Sequence, residues 1–128
     1  RPNYWAALLW NQLMGTQVYM ADSLAAGVDV FVHNLKGAAD GRSILVLNTN
    51  DSSFTFEVPA QAEHYLLTAN ALLAKTVQLN GQVLALQPDD SLPELQGKRV
   101  QAGEVLLPAH SVLFLSMDSI ESHSNNSL

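Results

Sequence analysis

The chain has 128 residues, enough for one domain of ordinary size, and 48% of them are apolar while only 14% are charged. A net charge of −6, with Lys and Arg scattered singly except at Lys98-Arg99, leaves no basic stripe that could neutralise a phosphate backbone, so nucleic acid is excluded as a partner. With no Cys there is neither a disulfide framework nor a thiolate metal site, and no apolar run of about 18 residues marks a membrane span.

The first predicted element is a helix over Pro2 to Met14. Pro2 suits the first turn, where a missing N–H costs nothing, and Gly15 stands where a left-handed C-terminal cap is expected. Its polar residues Asn3, Asn11 and Gln12 do not merge into one solvent-facing stripe at about 100° per residue. A helix apolar on nearly every side is buried on all faces, and one sheet covers only one side. Tyr4, Trp5, Leu8, Leu9, Trp10 and Leu13 are therefore expected to anchor the helix against a second body that these residues do not encode. Burying either Trp contributes about 4–6 kcal/mol as an upper bound. The chain starts at Arg1 without a leader, and it reads as part of something larger.

Beyond Thr16 the period changes to that of strands, expected at Gln17–Ala21, Val28–His33, Ile44–Leu47, Phe54–Val58, Glu63–Thr68, Thr76–Leu79, Gln82–Leu86, Val105–Leu107 and Ser111–Met117. Alternation is clearest in Val28-Asp29-Val30-Phe31-Val32-His33 and in Phe54-Thr55-Phe56-Glu57-Val58. Asn80-Gly81 between two such runs predicts a type I′ hairpin, because both central positions need positive φ. Gly37–Gly41, Asn48–Ser53 and Gln87–Leu95 read as turns and loops. Spacings of about 8–15 residues predict an antiparallel β-sandwich of the Greek-key type behind a single helix. Residues 119–128 are polar and unpatterned, as in a frayed tail.

Chemistry-bearing patterns are sparse. The four histidines have no metal-ligand spacing; His33 and His110 read as hydrogen-bonded edge residues and His123 falls in the tail, so no metal or cofactor is expected. No Gly-x-Ser-x-Gly elbow is present. Asp89-Asp90 reads as solvated turn residues, and Glu57, Glu63, Glu94 and Glu104 show no convergence into the carboxylate pair that glycoside hydrolysis requires, so no catalytic residue is assigned. The patterns Asn50-Asp51-Ser52 and Asn125-Asn126-Ser127 match the N-glycosylation acceptor.

Several short motifs, in this order, are those of a known family. Pro2-Asn3-Tyr4-Trp5, Leu8-Leu9-Trp10, Leu13-Met14-Gly15-Thr16 and Val18 resemble the last barrel helix and exit strand of the heparanase-like glycoside hydrolases, family 79. Leu72 to Gly81, Leu92-Pro93-Glu94-Leu95 and Leu107 to Phe114 are similar to that family's C-terminal β-sandwich, so the resemblance covers Pro2 to Met117. It implies a division into residues 1–15, the last helix of a (β/α)8 barrel, residues 16–118, the sandwich, and the tail. It also implies a secreted or periplasmic parent enzyme that cleaves β-glucuronides such as heparan sulfate with retention. Both catalytic glutamates of that parent lie upstream, in the barrel chain that would be the partner and would hold the polysaccharide. The resemblance further implies that the sandwich takes strand material from the N-terminal part of the polypeptide. Animal members carry a paired Cys after the strand matching Val28–His33; here Asn34 follows His33, which favours a microbial relative and leaves endo and exo action both open, since exo-acting β-glucuronidases share this scaffold. The reading from another class is a carbohydrate-binding or structural sandwich module without activity.

Overall fold

The structure is a computed structural model that describes residues 2–68, 77–85, 89 and 94–117. Its elements are α1 (Pro2–Leu13), β1 (Met14–Ala25), β2 (Val28–Leu35), β3 (Ala38–Asn48), β4 (Phe54–Val58), β5 (Ala62–Thr68), β6 (Val77–Leu79), β7 (Gln82–Leu84), β8 (Lys98–Val100), β9 (Gly103–Leu107) and β10 (Ser111–Met117). Thr76, Leu86, most of the 87–95 loop and the 119–128 tail, with His123 and Asn125, lie outside the described residues.

Every strand pairing is antiparallel. One sheet has eight strands in the order β1-β2-β3-β10-β5-β6-β7, with β8 also paired to β5; the other is a ribbon of β4 and β9. The last strand, β10, runs between β3 and β5, so the sheet is closed by a crossover from the far end of the chain. Alternation along each strand separates two cores. Leu45, Tyr65, Leu67 and Phe114 point to one face, where Trp5, Leu9 and Leu13 of α1 cover them. Val30, Ile44, Val46, Leu113 and Leu115 point to the other, beneath Phe54, Phe56 and Leu107 of the ribbon. The result is a sandwich-like stack of helix, large sheet and ribbon.

The Asn80-Gly81 turn has φ of 51° and 86°, the I′ geometry the dipeptide predicts. Asn80 does more than turn the chain: its Oδ1 accepts from Leu66 N–H at 2.9 Å, and its Nδ2 donates to the His64 carbonyl at 2.8 Å. The same Oδ1 lies 2.9 Å from His64 Nδ1, so that nitrogen carries the proton and donates. Burial lowers the His64 pKa below its ordinary 6.5, and Lys98 adds to the effect while the Asn80 hydrogen bond opposes it. The neutral ring is therefore the folded form, and the unfolded chain takes up the proton first as pH falls. Stability should decline as pH drops below about 7 and level off once the folded ring also titrates. Urea midpoints at about pH 7.5 and about pH 5 should differ less in H64Q than in the parent chain, and equal differences would show that His64 contributes nothing to the slope.

Three expectations are corrected, and one strand is added. Gly15 is not a left-handed cap but lies in β1, which begins at Met14; a Cβ there would fall 2.3 Å from Asn34 Oδ1, so the glycine serves close approach. Gly37–Gly41 is not a loop: only the Lys36-Gly37 turn is, and Gly41 lies within β3 because a Cβ would meet the Met117 carbonyl at 2.8 Å. His33 is hydrogen-bonded as expected but is no edge residue, since β2 is flanked by β1 and β3 and the ring is buried. β8 was not foreseen at all; it pairs its Lys98 and Arg99 with His64 and Glu63 at the rim of the sheet.

Candidate functional site: the outer side of the helix and the first strand

The six helical anchors separate into two groups. Trp5 at 6% exposure, Leu9 at 0% and Leu13 at 5% are embedded in this chain's own sheet, at angular positions about 40° apart on the helix. Tyr4 at 46% and Trp10 at 38% remain exposed, and Leu8 is half-buried. With about 100° between successive residues, Leu8 falls beside Tyr4 on one flank while Trp10 falls on the opposite flank. Tyr4 stands edge-on to Trp5, ring centroids 5.2 Å apart, so the buried indole holds its exposed neighbour in place. Sequence alone placed both Trp residues at an external interface; only the sheet distinguishes them.

β1 extends this uncovered surface. After Met14 and Gly15 every residue of β1 is exposed, including Val18, Tyr19, Met20 and Leu24. Among the described residues the strand is paired on one side only, to β2, and register shifts interrupt that pairing at three places. Arg42 lays its guanidinium 4.0 Å above the Tyr19 ring, a cation–π contact at the surface. The ribbon is too narrow to roof the whole large sheet. Between β1 and β4 it leaves an apolar groove of about 350 Å³, lined by Met20, Leu24, Val30, Val32, Ile44 and Phe56 among others.

A larger hollow of about 600 Å³ opens where α1 passes into β1, with Trp10, Thr16, His33, Asn34 and Lys36 in its wall. His33 Nδ1 donates to the Gly15 carbonyl at 2.8 Å, and its ring stands at 79° to Trp10 with centroids 5.1 Å apart. Lys36 closes the helix end, its Nζ donating to the Asn11 carbonyl at 2.7 Å and its backbone N–H to that of Leu13 at 2.9 Å. Asn34 Oδ1 accepts from Gln17 N–H at 2.8 Å, which fixes the first turn of β1.

Of the acidic residues, Glu57 and Glu104 face each other directly across the ribbon, a juxtaposition the sequence did not reveal. Both are exposed, and opposed like charges repel; Glu57 also stands at the rim of the groove between β1 and β4. Glu63 accepts from the Tyr65 hydroxyl at 3.2 Å and lies 3.6 Å from Arg99; Glu94 is exposed. Asp51 pairs with His110 at 2.6 Å on the surface. Asn50, in the first glycosylation pattern, donates its amide to the Ala26 carbonyl at 2.7 Å. Among the described residues no group of three or more His, Cys, Asp or Glu side chains could hold a metal ion, and no helix is long and apolar enough to cross a membrane.

No protein-family model matches the chain. Curated relatives do. It is 33% identical over 132 residues to mouse (Mus musculus) heparanase and 30% identical over 130 residues to chicken (Gallus gallus) heparanase, in each case across 88% of this chain. It is 34% identical over 103 residues, 73% of the chain, to baicalin-beta-D-glucuronidase of the plant Scutellaria baicalensis. The alignments take in 19–25% of those relatives, so the chain spans about a quarter of their length or less. Superposition on a family 44 endoglucanase of Clostridium acetobutylium reaches a TM-score of 0.43 at 8% identity over 73% of this chain and 17% of that one, too little to carry any weight. The sandwich-like fold and the alignments define a glycoside hydrolase-related region. Within that class the chain is heparanase-like.

Proposed function

We propose that this chain is the non-catalytic C-terminal sandwich portion of a retaining family 79 β-glucuronidase or heparanase-like enzyme, and that its task is to brace the catalytic barrel. In this reading residues 1–15 supply the closing helix of the (β/α)8 barrel, residues 16–118 the sandwich and residues 119–128 a tail. The barrel chain is the partner, holds the polysaccharide and carries both catalytic glutamates; the enzyme is secreted or periplasmic. One observation carries the proposal: a helix embedded on one side by Trp5, Leu9 and Leu13 keeps Tyr4 exposed, with Leu8 half-buried at the margin of the same core. Exposed side chains of this size, next to a strand with four large apolar residues uncovered, form a surface that a second body would cover. The unpaired side of β1 and the groove beside β4 suit the strand material that the family resemblance assigns to the N-terminal part of the polypeptide.

Glu57 and Glu104 support a non-catalytic role. Retention needs two carboxyl groups flanking a sugar from rigid walls, whereas these two project side by side from one exposed ribbon. The purified chain should hydrolyse an aryl β-glucuronide no faster than buffer does. Coexpressed with a tagged barrel portion of its parent, it should be retained on the affinity resin, and Y4E combined with L8E should reduce retention at least about tenfold, because each change buries an unpaired charge at the contact. Turnover by the chain alone, or undiminished retention of the double variant, would refute the assignment.

A further inference from the structure

β6 and β8 lie end to end along one edge of β5, β6 against Leu67 and Thr68 and β8 against Ala62, Glu63 and His64. Asn80 bridges the gap between them. Its backbone N–H donates to the Leu66 carbonyl at 2.8 Å, and its side chain is bonded to Leu66 N–H, the His64 carbonyl and His64 Nδ1. His64 is thus firmly held on its hairpin side. On the other side stands β8, three residues that among the described residues pair with β5 alone. The Arg99–Glu63 ion pair, 3.6 Å long and exposed at both ends, adds little. The chain enters β8 from Leu95, which is buried in the same core as Trp5 and Leu9 and whose carbonyl accepts from Gln12 Nε2 at 3.1 Å. It then passes Gly97, where a Cβ would fall 2.7 Å from Tyr65 Cζ. Residues 95–100 therefore tie the last turn of α1 to the rim of β5.

We propose that residues 95–100 are an acid-released strap: protonation of His64 frees β8 from β5 and loosens the hold of the Leu95 carbonyl on Gln12. Burial and the positive charge of Lys98, the register partner of His64, oppose an imidazolium here, whereas the Asn80 hydrogen bond favours it. Releasing β8 gives the charged ring water and distance from Lys98 while keeping Asn80; opening the hairpin would break the bond that favours the charge. No acid on the neighbouring elements offsets Lys98. β10 sets Leu115 opposite the ring and the β6–β7 turn sets Asn80 beside it, neither of which titrates, and Glu63 and Arg99 lie on the other face of the sheet with Tyr65. The proton is held more tightly with β8 free than with it paired, so release grows as pH falls through the ordinary value of 6.5 and levels off once the paired form also titrates. Under the bracing role proposed above, acid would slacken the grip of the sandwich on α1; the release itself belongs to this chain and does not require that role.

Amide hydrogen exchange of the chain of residues 1–128 at about pH 7.5 and about pH 5, with each rate taken relative to an unstructured peptide at the same pH, tests the strap. Protection of the Lys98 to Val100 amides should fall about threefold or more on acidification, through an opening that leaves β3 and β10 closed. Amides of β1, on the opposite edge of the sheet, open without exposing His64 and should keep their protection. The Gln12 side-chain amide signal, followed by NMR, should move with the same midpoint as the β8 amides. H64Q should remove the pH dependence, and K98E, which replaces repulsion by attraction, should at least halve it. Three results would each overturn the strap: β8 protection that does not change with pH, full dependence retained in H64Q, or β8 amides that open only together with β3 and β10 at both pH values. None of them bears on whether the chain is retained by a barrel portion.

Discussion

Trp5→Ala should lower the unfolding free energy by about 3–5 kcal/mol, whereas Trp10→Ala should cost less than about 1 kcal/mol. The two residues belong to the same helix and have the same propensity for it, so the contrast arises from packing alone. Trp5 fills the space between α1 and the Leu45, Tyr65 and Phe114 side of the large sheet, and its removal leaves a void that close-packed neighbours fill only in part. Trp10 stands edge-on to His33 and, though partly covered, keeps 38% of its surface exposed beside the hollow. Urea denaturation of the two variants checks the difference through the midpoint, since the slope should stay constant. Similar losses for both would mean that α1 is seated on its sheet by a different face. If the proposed bracing role holds, a parent enzyme carrying W5A should also lose barrel association, because a helix detached from the sandwich cannot hold Tyr4 in place.

This contrast marks where sequence reading ends. Local chemistry was legible: Pro2 at the helix start, the period-2 pattern of Val28–His33 and the Asn80-Gly81 turn each rest on neighbours in the chain, and each is found. Which side of α1 is buried was not legible, because a helix apolar on nearly every face carries too weak a moment to orient it. Gly15 and Gly41 were read as turn or cap residues; a glycine required for close approach looks the same in sequence as one required for positive φ, and only Asn34 and Met117 across the sheet tell them apart. β8 went unseen because a three-residue rim strand that begins Lys98-Arg99 has the composition of a loop. The Glu57 and Glu104 pairing depends on register between strands some forty-five positions apart, which no local pattern encodes. The family motifs, by contrast, were visible because they span elements in a fixed order, and relatives at 30–34% identity agree with them.

The largest polar effect is expected at Asn48, where N48D should cost about 3–5 kcal/mol at neutral pH and lower the melting temperature by about 10 °C or more. Asn48 ends β3 and is 1% exposed. Its Nδ2 lies within 3.0–3.2 Å of three carbonyls, those of Ser52, Leu107 and Pro108, while its Oδ1 accepts from Asn50 N–H at 3.1 Å. One amide thus joins the end of the large sheet to the approach of β4 and to the exit of β9, holding the two layers in register. A carboxylate is the same size but donates nothing; it would set negative charge against three carbonyl oxygens in a buried site. Its proton would be held well above the ordinary carboxylic range, since the protonated acid can still donate to one carbonyl. The variant should therefore gain stability relative to the parent as pH falls from about 7 toward about 5, opposite in sign to the decline attributed to His64. N48A, which leaves the carbonyls unsatisfied but adds no charge, should lose only about 1–3 kcal/mol. If neither N48D nor N48A lowered the stability, the amide would be a spectator and the two layers would be held together by the apolar core around Val58, Leu107 and Leu113.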